Sequence, residues 1–166
     1  MIFYNDEQLR KEIVKNLTTA SMVSMESTKK VLQENIETDV YGGYSPEVYP
    51  RTMEFLEAWE TEEGGADGVA SAQMHYEPEF ISTVAAPIHA SVITGAGVTS
   101  VLADWIFKGH GGGIFHGSWN HARNAWKSMD KEITNTKFRE MYENGLNSTS
   151  MPWKRSTGAV IKTQTD

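Results

Sequence analysis

Three histidines come closest, by residue type and spacing, to a site that could perform chemistry. His110, His116 and His121 lie within a span of twelve residues, and three imidazoles plus a water molecule can hold a catalytic zinc ion. The spacing differs from His-Glu-x-x-His, and no Asp or Glu lies between His110 and His121 to act as a base. We therefore predict no metal and no cofactor, and a hydrolase with a histidine-bound metal stays an alternative.

A glycine-rich run beside the first histidine is a second motif with chemical potential. His110-Gly111-Gly112-Gly113 matches the oxyanion loop of some esterases, but the nucleophile motif Gly-x-Ser-x-Gly is absent from the chain. No Gly-Lys-Ser/Thr follows the run, so it is not a phosphate-binding loop. The chain also has no cysteine, which excludes a thiol nucleophile and disulfides. The sequence thus predicts no catalytic residue and a protein that is not an enzyme.

The carboxylates are concentrated in one segment of the chain. Between Thr52 and Glu79 there are eight acids and no base, whereas the remaining residues carry 14 acids and 15 bases, or +1 of the total charge of -7. A general acid–base pair needs one desolvated member, and so dense a group favours a solvated acidic face instead. The predicted acidic face comprises Glu54, Glu57, Glu60, Glu62, Glu63 and Asp67. The overall charge argues against a protein that coats nucleic acid.

The elements that must position these residues follow from hydrophobic periodicity and turn signals. We predict one α+β domain over residues 1–166, with a long N-terminal helix and a C-terminal helix packed on a small antiparallel sheet. The expected parts are a helix over 6–37, an acidic strand or hairpin region over 52–79 with its loop from Glu62 to Asp67, a helix over 119–144, and a tail over 148–166. Gly145 is the predicted stop of the last helix.

Apolar residues at helical spacing predict which faces turn inward. On the first helix the expected inner stripe is Leu9, Ile13, Leu17, Ala20, Val31, Leu32 and Ile36. On the last helix it is Ala122, Trp126, Met129, Ile133, Phe138 and Met141. Two further tryptophans, Trp119 and Trp153, stand beside loops or polar runs, and we predict that they make subunit contacts, because aromatic residues are enriched at interfaces.

Residues 80–103 carry no formal charge and are numerous enough to span a bilayer. Pro87, His89, Gly95 and Gly97 interrupt the segment together with several Ser and Thr residues, which lowers its hydrophobicity. We predict that the segment is buried or forms an interface, and the sequence leaves open whether it is a loop or strands. The start of the chain has neither the basic nor the apolar region of a signal peptide.

The segment from Tyr44 to Trp59 carries a motif beyond generic pattern. It reads Tyr-Ser-Pro, then Tyr-x-Arg-Thr, then an apolar pair, and its key residues are Tyr44, Pro46, Tyr49, Arg51, Thr52 and Leu56. The segment resembles a signature of the minor tail or tail-completion family, the neck or head–tail connector proteins of long-tailed phages and prophages. Members open with a long helix, place the motif where the helix gives way to the sheet, and end with a helix after a glycine-containing loop.

The resemblance implies a structural virion protein that forms a homo-oligomeric ring at the head–tail junction, around the DNA channel. It implies other neck, connector and tail proteins as partners, genomic DNA passing nearby without specific binding, and no membrane. The implied location is the virion, and the host cytoplasm during assembly. The motif residues then build the fold, and the acidic face lines the channel or meets solvent. The alternative is a phage accessory protein that inhibits a host factor through its acidic face.

Overall fold

One long helix organises the fold. The computed structural model describes residues 5–42, 53–64, 68–81, 103–104, 106–108 and 122–154. Helix α1 spans Asp6–Ile36 and continues as a π-helical turn over Glu37–Tyr41. Asn5 is its N-cap, since the Asn5 side chain accepts a hydrogen bond from the Gln8 amide at 2.8 Å. With 31 residues, α1 is about 46 Å long at 1.5 Å per residue.

The buried face of α1 changes character along its length. The C-terminal part buries the apolar residues Val31, Leu32, Ile36 and, in the π-helical turn, Val40. The preceding turns bury a small and polar stripe at i, i+4 spacing, namely Asn16, Ala20, Ser24 and Thr28. Leu9, which was predicted to face inward, is 38 % exposed. The predicted stripe is therefore right from Ala20 onward and wrong at its N-terminal end.

A short helix and a hairpin follow. Helix α2 spans Glu54–Glu57, strand β1 spans Trp59–Gly64 and strand β2 spans Ser71–Tyr76, before a 3-10 turn over Pro78–Phe80. The two strands are antiparallel and pair from Trp59 opposite Tyr76 to Gly64 opposite Ser71. Strand β1 extends through Glu62, Glu63 and Gly64, which were predicted to start the loop.

The C-terminal region contains two helices where one was predicted. Helix α3 spans Ala125–Glu132 and helix α4 spans Asn135–Asn147. The break lies at Ile133, whose ψ of 80° is not helical, and at Thr134, whose side chain caps α4 by accepting from the Lys137 amide at 3.2 Å. The helix also continues past Gly145, so Gly145 is an interior residue and not the predicted stop.

The inner face of this region also differs from the prediction. Ala125 and Met129 are buried, whereas Trp126 is 41 % and Phe138 is 43 % exposed, and Ala122 is exposed. Ile133 and Met141 are half-buried against the core, as predicted. Helix α4 lies along α1, and Glu132 joins the helices by accepting hydrogen bonds from Lys137 and from Asn35. These two hydrogen bonds, that of Lys137 first, hold the pKa of Glu132 below its ordinary value.

One hydrophobic cluster connects the described elements. It contains the C-terminal part of α1, Phe55, Trp59, Ile106 and the buried face of α3, with the side chains of Leu56, Tyr76 and Phe107 packed against it. Residues 103–104 and 106–108 are helical. The predicted α+β class, with a long N-terminal helix, a helical C-terminal region and a small antiparallel sheet, is confirmed, although that region is divided into two helices. Within the described ranges no helix combines the length and the apolar character that a membrane crossing requires.

Candidate functional site: the acidic hairpin and its aromatic base

The hairpin β1–β2 presents two chemically different faces. Successive side chains of a strand point to opposite sides. Trp59 is buried, and the Thr61 hydroxyl donates a hydrogen bond to the Glu26 carboxylate of α1, so this face rests on the long helix. Glu60 and Glu62 therefore lie on the opposite, outer face of β1, where they are exposed. Strand alternation thus separates an anchoring face from an acidic face.

The outer face is held in shape by polar contacts across the two strands. The Gln73 amide donates to Glu62, its partner in the register. His75 lies opposite Glu60, with Nδ1 3.8 Å from Glu62 Oε1 and Nε2 2.6 Å from Glu77 Oε1. Among the described hairpin residues, this imidazole is the one side chain that can become cationic. The face therefore keeps a strongly negative potential.

The structure places five of the six residues predicted for the acidic face. Glu60 and Glu62 lie on the outer face of β1, Glu63 is exposed at the end of the strand on the side of Thr61, Glu57 is exposed, and Glu54 is half-buried at the start of α2. Asp67 lies outside the described residues. Exposure in one chain does not distinguish a channel wall from an outer surface, so the channel-facing or solvent-facing role stays a prediction.

An aromatic group forms the base of the hairpin. The centroid of the Trp59 ring lies 5.5 Å from that of Tyr76, 5.8 Å from that of Phe107 and 5.9 Å from that of Trp126. The ring of Phe55 meets Trp59 edge-on, with 6.0 Å between the centroids. Burial in this group raises the pKa of Tyr76 to about 12. Aromatic pairs at these separations each contribute roughly 0.5–1.5 kcal/mol beyond area burial. The acidic hairpin is thus anchored rigidly to the core.

The end of the phage-like motif is well defined. Met53 adopts the left-handed conformation at φ 60°, a costly one for a side chain other than glycine, immediately before α2. Phe55 is then buried in the core, and the half-buried Leu56 accepts a hydrogen bond through its carbonyl from Gln33 of α1 at 3.0 Å. These contacts tie the end of the motif to the long helix. The other key residues, Tyr44, Pro46, Tyr49, Arg51 and Thr52, lie outside the described residues.

Of the tryptophans, Trp126 differs from the prediction, because it is partly exposed. Trp153 is half-buried, and its indole N–H donates to Asn147 Oδ1 at 3.1 Å. Trp119 lies outside the described residues, and contacts of either residue with another subunit stay a prediction. Trp126, which periodicity placed inside, offers a partly open ring at the edge of the aromatic base. The polar residues Lys127 and Ser128, which follow Trp126 directly, could have indicated that this side of the helix is exposed.

The three histidines belong to the alternative interpretation as a metal-dependent hydrolase. His110, His116 and His121 all lie outside the described residues. In the portions of the chain that the structure does describe, no group of three or more His, Cys, Asp or Glu side chains is arranged to hold a metal ion.

A basic groove is the feature that sequence reasoning missed. It lies between the end of α1 and the start of α3, and Arg123, Lys127 and Lys131 line it together with Asp39 and Ser128. The available signal was the i, i+4 spacing of Lys127 and Lys131, which puts both on one face of α3, with Arg123 just before the start of the helix. The groove is far in sequence from the acidic segment.

Comparison with known proteins assigns the chain to a family. A family model described as YomN matches residues 5–148, which is most of the chain, and the chain belongs to this family. The family name is one associated with phages and prophages. No significant match was found among the curated proteins or the solved structures.

Proposed function

We propose that this member of the YomN family is a structural virion protein of a long-tailed phage or prophage. It forms a homo-oligomeric ring at the head–tail junction, where it surrounds the DNA channel as a neck, tail-completion or minor tail protein. Its partners are the connector and tail proteins of the same particle, and it has no catalytic role. It resides in the virion, and in the host cytoplasm during assembly.

The order of elements is the observation that carries the proposal. A long helix is followed by the motif that ends in Phe55 and Leu56, then by a small antiparallel sheet, then by C-terminal helices. This is the order that the resemblance to tail-completion proteins implies, and the motif ends where helix α1 and the hairpin meet. The phage association of the family name supports the same origin.

The uneven core of α1 supports assembly with other subunits. The helix is about 46 Å long, yet the large apolar residues that it buries begin only at Val31, and the residues buried before it are the small or polar Asn16, Ala20, Ser24 and Thr28. Toward the N-terminus Leu9 is 38 % exposed, and Trp126 and Phe138 are exposed on the C-terminal helices. Oligomeric proteins complete such partial cores across subunit interfaces.

The acidic hairpin suits a channel wall. Glu60 and Glu62 form the outer face of a strand that is anchored by a rigid aromatic base, and Glu63 is exposed at the end of the same strand. A surface of this sign repels phosphates, so DNA would slide past it without binding. We therefore place the acidic face toward the channel or the solvent, and away from the contacts between subunits.

The assembly proposal is tested on the purified full-length protein. Light scattering coupled to size exclusion, with negative-stain images, should show closed rings of one stoichiometry, either alone or after mixing with the connector and tail proteins of the same phage. A strictly monomeric protein that binds none of these partners would contradict the proposal.

The exposed carboxylates also favour a second candidate, an accessory protein that inhibits a host factor by imitating nucleic acid. In that case the chain would bind a basic host protein tightly, and DNA would compete for the same site. Neutralising Glu60 and Glu62 would abolish this binding, whereas ring formation would be unaffected.

A further inference from the structure

The basic groove is a concave site that the ring proposal does not use. Its volume is about 350 Å³, within the range of roughly 300–1,000 Å³ that is typical of ligand sites. Asn124 caps α3 by accepting from the Lys127 amide at 2.9 Å, and this cap turns the chain so that Arg123 and the lysines of α3 border one opening. One wall of the groove is therefore set by the cap of α3, and Asp39 at the end of the long helix forms the other.

Two side chains fix the walls of the groove. Arg123 donates from Nη1 to the Val40 carbonyl at 2.8 Å, and its backbone amide donates to the Ile106 carbonyl, also at 2.8 Å. Asp39 accepts a hydrogen bond from the Ser128 hydroxyl at 2.6 Å. The carboxylate of Asp39 is thus bonded to the neutral hydroxyl of Ser128. The guanidinium of Arg123 is held by a backbone carbonyl, so its positive charge is not neutralised by that partner.

The two lysines supply charge without a fixed partner. Among the described residues, no carboxylate lies within 4.0 Å of the ammonium group of Lys127 or Lys131. Both are exposed on one face of α3, one helical turn apart, and like charges at this spacing repel each other. An anionic partner in the groove would offset this repulsion.

We propose that the groove docks an extended acidic segment of another protein chain. Lys127 and Lys131 are separated by about 6 Å along the helix axis. Side chains on the same face of an extended segment recur about every 6.6 Å. Carboxylates at alternate positions of such a segment would therefore meet both lysines, and a third would approach Arg123.

The shape and charge of the groove favour this occupant over two others. A DNA duplex is too broad to enter a cavity of about 350 Å³, so it could touch only the rim of the groove. The acidic hairpin of a second copy is two strands wide, and its Glu62 is already bonded to Gln73. A single extended strand is narrower than either of these occupants.

The test measures binding of a fluorescein-labelled peptide of alternating Glu and Ser to the full-length protein by fluorescence anisotropy. The wild-type protein should bind it, and added salt should weaken binding. The double variant K127E/K131E should bind at least about tenfold more weakly, because the charge contacts reverse sign. The matched variant K11E/K15E, which reverses two exposed lysines at the same spacing on α1, should change the affinity less than about twofold.

Each other outcome would overturn the proposal. Equal loss in both double variants would show attraction to net charge alone, and no binding by the wild-type protein would show that the groove does not recognise acidic peptides. Duplex DNA that displaces the peptide would assign the groove to nucleic acid. Self-association that K127E/K131E alone removes would assign it to a second copy. Circular dichroism of both variants checks that they fold.

Discussion

At the scale of single residues, Gly145 shows how a contact decides what a glycine does. Its type and position predict a helix stop, but the residue lies inside α4 and is buried against α1. A Cβ atom there would lie 2.6 Å from the Ala20 carbonyl oxygen and 2.7 Å from the Ala20 Cα. Gly145 is thus needed so that α4 can approach α1 closely. The contact joins residues 20 and 145, which are 125 positions apart, and local sequence signals do not report contacts over such a distance.

We predict that Gly145→Ala destabilises the protein. In an open helix this change would stabilise by up to about 1 kcal/mol, but here the new methyl group meets backbone atoms that cannot rotate away. Overpacking of this kind costs roughly 1–3 kcal/mol. Urea unfolding should show the loss, whereas Asn144→Ala, at the exposed neighbouring position, should change stability little. A stabilised Gly145→Ala protein would show that α1 and α4 are farther apart.

Tyr76 gives a second residue-scale prediction, in alkaline solution. Its pKa is raised to about 12 by burial, against 10.0 in the unfolded chain. The unfolded state therefore releases the phenolic proton first, and stability falls as pH rises from about 10 to about 12. Ultraviolet titration should show one of the six tyrosines ionising late, and Tyr76→Phe should remove both this phase and its share of the alkaline destabilisation. Loss of stability that is identical in Tyr76→Phe would contradict the assignment.

At the scale of elements, the sequence predicted types better than boundaries. The long helix, the hairpin and a helical C-terminal region follow from caps, periodicity and glycines, because these signals are local. The split between α3 and α4 was missed because Thr134 is also an acceptable helix residue by pattern, and only its cap to Lys137 reveals the new start. The exposed Phe138 of α4 was misjudged for a related reason, because the predicted stripe was continued across the break at Ile133.

The cap at Thr134 leads to a prediction about α4. Thr134→Ala removes the side-chain acceptor for the Lys137 amide, and loss of an N-cap costs about 1 kcal/mol. Chemical unfolding should show this decrease, together with faster hydrogen exchange in the first turn of α4. Thr136→Ala, an exposed change inside the helix, is the control and should leave the start of α4 intact. If both variants behave alike, Thr134 is not the cap.

At the scale of the whole molecule, the distribution of charge matters more than its total. The acidic hairpin and the basic groove are separate surfaces, and the net charge of -7 describes neither of them. The acidic segment could be predicted from the sequence because its members are close together along the chain. The groove could not be predicted, because it forms only where the end of α1 meets the start of α3. The roles of the motif and histidine residues outside the described ranges stay predictions.

We predict that neutralising the hairpin makes the protein bind DNA. The variant E60Q/E62Q/E63Q removes three exposed charges without a large change in shape, and so weakens repulsion of phosphates. A gel-shift assay at low salt should detect duplex binding by the variant and none by the wild type. The control E7Q/E12Q/E34Q removes three charges from α1 and should not bind. Equal binding by both variants would mean that total charge, and not the hairpin, excludes DNA.

Locating the chain in the particle tests the proposed virion role most directly. Antibody-gold labelling of purified particles, from the phage or prophage that encodes this chain, should place label at the junction of head and tail. The same particles should show a ring of density at that position, lost when the gene is deleted and restored by the intact gene. Intact tailed particles that contain no trace of the chain, and that assemble normally without it, would contradict a structural role in the neck or tail.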